Sequence, residues 1–364
     1  MTYDELLKTL RLGKPVQQQT LSDLDLGQLR QETAIFTDVH FHNVRWQGAQ
    51  LTQCIFTRCR FTQDVDRHLP EVFSDWRNVS LQGCHFDRCD LGHSQWAGQS
   101  LTTCTFNQCN LSNSNWQAAQ LSQLSFTQCD CRQASFVDAR VERSFISDCV
   151  SDGINLTRVV VENIVWIGND FTHADITGAC FHRSLLLKSR FQQKNLQGAF
   201  FVQCTLNQSH FHQVQFQQAQ LTESQFGECH FSECDFSHIQ ANSTQFVSAQ
   251  CTDCCWDEAH LTGTIWKQAR LVNCQFKQAQ LEKSFWESAV LQQCDFTDAQ
   301  LFLADFSCAQ LTESVFDGAD LHRAKLHQLE SYKSQLRSAH MKGVSWTDQD
   351  RLRGEQRAQQ EFSQ

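Results

Sequence analysis

Large apolar residues recur at every fifth position along most of the chain. From Trp76 to Leu326, 50 of the 51 positions spaced by five are apolar or cysteine, and Ser151 is the exception. Two positions before each of these central residues the side chain is small, because 44 of 51 are Ala, Cys, Ser, Thr or Val. The other three positions of each unit are mostly polar. The pattern therefore predicts that two residues in every five face inward.

This period excludes the two common secondary structures as its source. An α-helix returns a side chain to the same face about every 3.6 residues and a strand about every two. A chain that turns a corner after each five-residue side brings one large side chain inward per side. Four such sides make a coil, and successive coils pair as parallel strands. The sequence therefore predicts a solenoid in which the small residue lies under the corner.

Units such as Ala299-Gln300-Leu301 and Ala319-Asp320-Leu321 resemble the A(D/N)LxX units of pentapeptide-repeat proteins. The resemblance covers roughly residues 34–346. It implies an all-β solenoid, the right-handed quadrilateral parallel β-helix, and it brings no catalytic motif. About 63 units at four per coil and roughly 4.8 Å per coil give a length on the order of 75 Å. Such an interior is too narrow to enclose a substrate.

Central residues 20 positions apart should stack on one side of the coil. The predicted structural core includes Trp76, Trp96, Trp116, Trp256, Trp266, Trp286, Leu281, Leu301 and Leu321. Between about Phe171 and Phe211, aromatic residues stand where leucine is expected. Either a side is inserted or omitted near 141–170 and near 211–216, or the interior volumes are exchanged locally.

The N-terminal residues break the repeat and predict a helix. Thr2-Tyr3-Asp4-Glu5 has the spacing of a capping box, and Leu6 and Leu10 follow on one helical face. A solenoid must cover its open end, which otherwise exposes strand edges and apolar side chains. We therefore expect residues 1–20 to form an N-terminal cap helix and a segment leading into the repeat.

The remaining chain is predicted to be one repeat array followed by a short tail. Residues 21–346 form the β-helix, with a loop excursion at 64–73 and irregular coils around 141–170. Weak patterning around 141–170 predicts a bend or a loop there. The repeat stops after Trp346, and residues 347–364 are predicted to form a C-terminal helix or tail.

The excursion at 64–73 replaces two five-residue units, and the five-residue pattern of large apolar residues resumes at Trp76. Loops that leave the wall of a repeat protein are common sites of partner contact. The candidate contact residues are Asp66, Arg67, His68 and Glu71. A neutral insertion is the alternative.

Fourteen of the 19 cysteines lie at the small position under the corner. A metal or redox ladder is one interpretation, but cysteine is also a small, readily buried residue of the size that the corner needs. The cluster Cys251, Cys254 and Cys255 has the look of a zinc half-site. Cys251 and Cys254 should point inward and only Cys255 outward, so the three thiols would not converge on one metal ion. Packing is therefore the favoured interpretation, and no metal is predicted.

Charge and hydropathy exclude several classes of function. The net charge of −10 and the lack of a basic run argue against direct nucleic-acid binding. No apolar run approaches the roughly 20 residues that span a bilayer, and no signal peptide opens the chain. An odd number of cysteines cannot pair completely in disulfides within one chain, so we expect the thiols to be reduced. We expect a cytoplasmic protein, and delivery by a non-Sec secretion system stays open.

The 15 histidines do not form a recognisable catalytic motif. His40, His42, His210 and His212 occupy outward positions, and no nucleophile-base-orienter set or phosphate-binding glycine loop is visible. The sequence therefore predicts neither an enzyme nor a cofactor.

A rigid surface with regularly spaced side chains predicts a protein-binding scaffold or adaptor whose partner is unknown. The segment Thr20 to Leu26 before a long array is similar to pentapeptide-repeat proteins associated with type VI secretion. In family members that dimerise, the C-terminal end is often the contact, so a homodimer through a terminus is also expected.

Two alternatives come from the same resemblance. Gyrase-protecting members resemble a DNA duplex and bind DNA gyrase or topoisomerase in its place. Basic residues interspersed among the acidic ones weaken the negative electrostatic potential that would resemble a DNA duplex. They include Arg140, Arg143, Lys188, Arg190 and Lys194. A secreted bacterial effector is the third hypothesis.

Overall fold

The computed structural model describes residues 1–64 and 74–361. Apart from Asp64, the predicted excursion lies outside the described residues. The candidate contact residues Asp66, Arg67, His68 and Glu71 therefore lie outside them too, and their role in binding stays a prediction.

The described residues form two helices and 29 short strands. Helix α1 spans Tyr3–Arg11 and helix α2 spans Gln349–Glu361. The strands are β1 Val16–Gln17, β2 Thr20–Ser22, β3 Arg30–Glu32, β4 Ile35–Thr37, β5 His40–His42, β6 Gln50–Thr52, β7 Ile55–Thr57, β8 Arg60–Thr62, β9 Ser80–Gln82, β10 His85–Asp87, β11 Ser100–Thr102, β12 Thr105–Asn107, β13 Gln120–Ser122, β14 Ser125–Thr127, β15 Arg140–Glu142, β16 Phe145–Ser147, β17 Val160–Glu162, β18 Val165–Ile167, β19 Cys180–His182, β20 Leu185–Leu187, β21 Arg190–Gln192, β22 Phe200–Val202, β23 His210–His212, β24 His230–Ser232, β25 Gln250–Thr252, β26 Arg270–Val272, β27 Val290–Gln292, β28 Gln310–Thr312 and β29 Glu330–Tyr332.

Residues Met1–Arg190 form one compact unit. One of its sides is a sheet of nine parallel strands in the order β1-β4-β7-β10-β12-β14-β16-β18-β20. A second side carries β3-β6-β9-β11-β13-β15-β17-β19, and a third begins with β2-β5-β8 and continues as isolated bridges. Partners such as Leu101 and Leu121 are 20 residues apart. This is the predicted parallel β-helix.

Residues Phe191–Gln364 form the second compact unit. Strands β23 to β29 pair in chain order on one of its sides, all parallel. The other sides are joined by isolated parallel bridges, for example Gln240 with His260. The 20-residue offset is the same as in the first unit.

Pairing across residues 65–73 has a different offset. Leu51 pairs with Leu81, 30 positions later, whereas Leu101 pairs with Leu121, 20 positions later. The difference is ten residues, two whole units. The central residues on both sides of this segment therefore keep their inward positions.

Nearly every side ends at a residue with left-handed backbone. It lies two positions after the central residue, as in Asn113 (φ 56°) and Gln133 (φ 57°). This conformation is unfavourable for residues with a Cβ and is best tolerated by asparagine, aspartate and glycine. Polar side chains at these corners also bond along the column, since Gln203 Nε2 donates to Glu223 Oε2 at 2.8 Å. The corner thus explains the polar bias of this position.

The interior is built from facing stacks of aromatic rings. In the first unit the rings of Trp76 and Trp96 are parallel at 5.0 Å, and Trp76 meets Phe86 edge-on at 87°. In the second unit Trp266 and Trp286 stack at 5.0 Å. Parallel stacking within a column and edge-to-face contact between columns are both favourable arrangements. The predicted core residues are all buried: Trp76, Trp96, Trp116, Trp256, Trp266, Trp286, Leu281, Leu301 and Leu321.

The inverted volumes in the middle of the chain do not come from an extra or missing side. In the first unit Asn155 pairs with Asp175, and in the second Asn195 pairs with Gln215, so the offset stays at 20 within each unit. The interior volumes are therefore exchanged locally.

Both terminal segments are helical, as predicted. Thr2 and Glu5 form the capping box, with Thr2 N donating to Glu5 Oε2 at 2.8 Å, and Leu6 and Leu10 are buried. Helix α2 is attached through polar contacts, because Glu355 Oε2 lies 3.1 Å from His327 Nε2. Neither helix in the described part of the chain is long and apolar enough to cross a membrane.

Most buried tryptophans share a hydrogen bond that the sequence analysis did not foresee. The indole N–H donates to a hydroxyl two residues earlier in five cases: Trp76 to Ser74 (2.9 Å), Trp96 to Ser94 (2.6 Å), Trp116 to Ser114 (2.8 Å), Trp266 to Thr264 (3.0 Å) and Trp286 to Ser284 (2.8 Å). The hydroxyl in turn donates to a carbonyl, as Ser114 does to Leu111 at 2.5 Å. The small corner position therefore also satisfies the indole nitrogen.

We predict that Ser114→Ala lowers the free energy of unfolding by about 1 to 3 kcal/mol, because it leaves the Trp116 N–H buried without an acceptor. Urea unfolding followed by tryptophan fluorescence and circular dichroism measures the change. Ser114→Thr should retain stability, since Thr264 performs the same role for Trp266. Equal loss in both variants would contradict the hydrogen bond as the cause.

Candidate partner-binding surface

Strands β16, β18 and β20 carry apolar residues on their outer face. In register, Phe145 lies beside Val165 and Val165 beside Leu185, while Ile167 lies beside Leu187. Phe145 is 42% exposed, Leu185 39% and Ile167 37%. We call these five residues the apolar face. Because paired strands lie about 4.8 Å apart, the five side chains form a continuous surface.

The apolar face follows three strands that carry polar residues at the same outer position, although β4 and β7 earlier in this sheet carry Ile35 and Ile55 there. The outer position held by Phe145 is held by His85, Thr105 and Ser125 in the three preceding strands of the same sheet. Scattered exposed apolar residues are normal on a protein surface, but a contiguous patch is typical of an interaction site.

The wall beside the apolar face is interrupted. Bridges join Asp130 to Val150 and Asp170 to Arg190, but none joins Val150 to Asp170 in the part of the chain that the structure describes. Val150 is 52% exposed. The inward residues Ile146 and Cys149 are partly exposed here, although inward residues elsewhere on these columns are buried. The interruption therefore opens the interior toward solvent.

A buried polar residue lies at the corner beside the interruption. Asn169 occupies the small position, where the adjacent coils have Cys149 and Ser189, and it is 3% exposed. Among the described residues, its Nδ2 has no hydrogen-bond partner, and neither have Thr172 Oγ1 and Trp166 Nε1. Unpaired buried polar groups are destabilising. Three such atoms within seven residues mark the least satisfied part of the described interior.

The interior is also underfilled at this level. A cavity of about 30 Å³ lies next to the interruption. Its volume arises because small residues stand at central positions, with Cys131 and Ser151 on one side and Val141 and Val161 on another. Its lining is Phe126, Cys131, Phe136, Val141, Ile146, Cys149, Ser151, Ile154, Leu156, Val159, Val161, Ile164 and Trp166.

Around 141–170, where a bend or an irregular coil is predicted, two sides of the coil are regular and one is interrupted. Strands β15 to β18 keep the regular register, with Val141 beside Val161 and Ile146 beside Trp166. The irregularity is confined to one side of the coil, where Val150 and Asp170 separate. The weak sequence pattern reflects smaller interior residues, which leave the path of the backbone on the paired sides unchanged.

The histidines singled out from the sequence lie on outer columns and bond to their neighbours. His40 Nε2 and His42 Nδ1 lie 2.7 and 3.0 Å from Thr62 Oγ1. The ring of His210 stacks on that of His230 at 4.8 Å, and His212 Nδ1 lies 2.8 Å from Ser232 Oγ. Within residues 1–64 and 74–361, no group of three or more His, Cys, Asp or Glu side chains is arranged to hold a metal ion.

All 19 cysteines are free thiols, and 15 of them are buried. Cys251 and Cys254 are buried and Cys255 is half-buried, so the three do not face one point. Burial raises the pKa of Cys229 to about 12 and that of Cys255 to about 11. Such thiols stay protonated and unreactive at neutral pH. Most cysteines thus act as small packing residues.

The apolar face was visible in the sequence as apolar residues at outward positions. Phe145, Val165 and Leu185 are spaced by 20 one residue before a central position. The residues predicted to matter were the inward ones, and this outward column was not among the predicted sites. The unpaired Asn169 amide has no comparable signal, because it depends on contacts between coils.

The chain matches two family descriptions over much of its length. It matches "Pentapeptide repeat region" at residues 99–165 and 209–286. It matches "Pentapeptide repeats (8 copies)" at residues 34–63, 77–115, 189–222, 269–307 and 304–343. No curated protein matches the chain.

Several solved structures are similar to the chain. Full-length QnrB1, a plasmid-mediated fluoroquinolone resistance protein, is 19% identical over 52% of this chain and 85% of its own, with a TM-score of 0.29. HetL, a pentapeptide repeat protein involved in heterocyst differentiation regulation in the cyanobacterium Nostoc sp. strain PCC 7120, is 16% identical over 96% of this chain and 98% of its own, with a TM-score of 0.18. Rfr23 from the cyanobacterium Cyanothece 51142 is 23% identical over 29% of this chain and 61% of its own, with a TM-score of 0.11.

We predict that Asn169→Ser raises the stability of the first unit by about 1 kcal/mol, because it removes a buried amide without an acceptor and restores a small corner residue. The midpoint of thermal unfolding measures the effect. Asp170→Asn, an isosteric change next to it, is the matched control and should leave the midpoint unchanged. A lower midpoint for Asn169→Ser would show that Asn169 stabilises the fold.

Proposed function

Since this chain belongs to the pentapeptide-repeat family, we propose that it is a non-enzymatic protein-binding scaffold that holds its partner on the apolar face. The partner is a protein with a complementary apolar surface. Association with type VI secretion is the finer form of this proposal, in which the partner is a component of the secretion apparatus.

The apolar face is the observation that carries the proposal. Phe145, Ile167 and Leu185 are more than a third exposed, and β14, the strand that precedes the apolar face, carries Ser125 beside Phe145. Burying such side chains against a partner contributes roughly 25 cal/mol for each Å² of apolar surface removed from water. A rigid sheet presents them in fixed positions, so little conformational entropy is lost on binding.

The distribution of charge favours a scaffold over a DNA mimic. A mimic needs a contiguous acidic surface, but acids here pair with bases one coil away. Arg58 contacts Asp38 at 2.6 Å, and Lys267 contacts Glu287 at 3.1 Å. Further pairs of this kind are Arg45 with Asp25, Arg158 with Asp138, Lys325 with Asp305 and Lys333 with Glu313. Such alternation reduces the negative potential along these columns.

We predict that the double variant Phe145→Ser and Leu185→Thr folds normally and loses its partner. Serine and threonine occur at the same outer position in Ser125 and Thr105, so the sheet tolerates them. Affinity purification of the tagged full chain from its native cells, read by mass spectrometry, should show the partner enriched with wild type and reduced at least about tenfold with the variant, the loss expected when about 1.4 kcal/mol of binding free energy disappears.

Gln120→Ser is the matched control, because Ser100 occupies the same outer column and the change lies away from the apolar face. It should retain the partner. A partner that binds the double variant as well as wild type would refute the proposed surface. The identity of the protein separates the classes: secretion components support the adaptor, topoisomerase subunits the mimic, and a host protein captured from host extract the effector.

The last coil offers a second surface, and we propose that it pairs with a second copy of the chain. In the second unit, Trp346 is 57% exposed, although Leu326, at the same inward position one coil earlier, is buried. Tyr332, at an outward position beside Thr312, is 61% exposed. Strand β29 pairs only with β28 within the described residues. Apolar side chains and an unpaired strand edge together form a surface that a like surface can cover.

We predict that Trp346→Ser shifts the chain from dimer to monomer in sedimentation velocity runs at micromolar concentration, since it removes the largest exposed apolar group of the last coil. Leu12→Ser alters an exposed residue beside α1 and should leave the dimer intact. A wild-type chain that sediments as a monomer at all concentrations would contradict the proposal.

A further inference from the structure

Four backbone hydrogen bonds are missing on the side of the coil where the wall is interrupted. One coil earlier, the corresponding four bonds are all present: Gln128 N to Ser147 O (3.0 Å), Val150 N to Cys129 O (2.9 Å), Cys131 N to Val150 O (2.8 Å) and Gln133 N to Asp152 O (3.0 Å). Among the described residues, none of their counterparts 20 positions later forms between 148–153 and 167–172. We call the gap between these two segments the seam.

The seam is bounded at both ends by regular pairing. Ser147 pairs with Ile167 at one end, and Asn155 bridges to Asp175 at the other. One side-chain contact crosses the seam at the surface, where His173 Nδ1 lies 2.6 Å from Asp152 Oδ1. The seam is therefore a short slot in a wall that is paired on either side of it.

The edges of the seam carry backbone groups without partners. Each missing bond leaves one N–H group and one carbonyl unpaired within the described part of the chain. The N–H groups are those of Asp148, Ser151, Gly153 and Asp170, and the carbonyls are those of Cys149, Ile167, Asp170 and Thr172. Backbone groups in folded proteins are nearly always paired, so the seam has an unused capacity to bond to another polypeptide backbone.

The seam also leads to the cavity of about 30 Å³. Ile146 and Cys149, which line this cavity, are partly exposed beside the seam. A space of this volume holds about one water molecule or one methyl group, and a largely apolar lining disfavours water. The cavity therefore fits the end of a small aliphatic side chain.

We propose that the seam anchors an extended peptide segment of the partner protein. The backbone of the segment pairs with the open edges of the seam, and one alanine or valine side chain enters the cavity. Peptides that add to an exposed strand edge gain affinity from backbone hydrogen bonds and specificity from side-chain pockets. The proposal rests on the proposed function and narrows the partner to a protein with an extended segment.

The seam and the apolar face are continuous. Ile167 belongs to the apolar face and also forms the first residue of one edge of the seam. A segment that lies across Ile167 can therefore contact both. Its apolar side chains would cover the apolar face while its backbone reaches the unpaired groups.

The first test is hydrogen–deuterium exchange of the free full-length chain at single-amide resolution. The amides of Ser151 and Gly153 should exchange at least about tenfold faster than those of Cys131 and Gln133, their paired counterparts one coil earlier. An amide without an acceptor needs no local opening before it exchanges. Equal protection of the two pairs would show that the seam is closed and would overturn the proposal.

The second test selects peptides from a random library displayed on phage against the folded full-length chain. We expect the selected peptides to share an alanine or valine within an extended segment. The synthetic consensus peptide should slow the exchange of the Ser151 and Gly153 amides. Ser151→Val, which fills the cavity, should weaken its binding at least about tenfold in fluorescence anisotropy.

Two further variants support this measurement. Cys131→Val fills the same cavity from the coil before and should weaken binding in the same way. Gln120→Ser lies on another side of the coil and should bind the peptide like wild type. Circular dichroism of each variant verifies that the β-helix is intact.

The double variant Phe145→Ser and Leu185→Thr separates the seam from the apolar face. Peptides that bind this variant but not Ser151→Val support the seam and contradict the apolar face. Peptides that bind Ser151→Val like wild type, or that leave exchange of the Ser151 amide unchanged, contradict the seam. Their loss in the double variant would then still support the apolar face. A selection that yields no binding peptide also refutes the seam as a peptide anchor.

Discussion

The structure depends on filling an interior of constant cross-section. Four five-residue sides enclose each coil, and the register of 20 residues between paired strands keeps the perimeter of the coil constant within each unit. The central side chains must therefore supply nearly the same total volume in every coil, at the density of an organic crystal. Stacks such as Trp96 and Trp116 meet this need opposite Phe106. Where Cys131 and Ser151 replace larger residues, a cavity is left.

The period predicted the fold because the corner is a local structure repeated dozens of times. One residue with left-handed backbone and one small side chain suffice to turn each corner, and both are visible within a single unit. The core positions followed directly from this. The bond from Trp116 to Ser114 was equally visible, since a hydroxyl residue precedes most central tryptophans by two positions. It was missed because the small position was judged by size alone.

The candidate site could be predicted only in part. The apolar face exists in the sequence as Phe145 and Leu185 at outward positions, and a search of outward columns would have found it. The interruption beside it could not be predicted, because it is a missing bridge between coils, where Val150 and Asp170 do not pair. The surroundings of Cys149 arise in the same way. Contacts between coils decide these features, and one unit read alone does not contain them.

Leu51 and its partner Leu81 are 30 positions apart, ten more than Leu101 and Leu121, and these ten extra residues show how such a chain tolerates growth. The repeat has a fixed register of five residues. A gain of one to four residues would shift this register, so that the large apolar residues of every later side no longer fall at inward positions. A gain of five keeps the core but moves each later surface by a quarter turn around the axis. The ten extra residues here do neither, because Leu51 still pairs directly with Leu81. Evolution can therefore lengthen this protein there while every binding surface downstream keeps its direction.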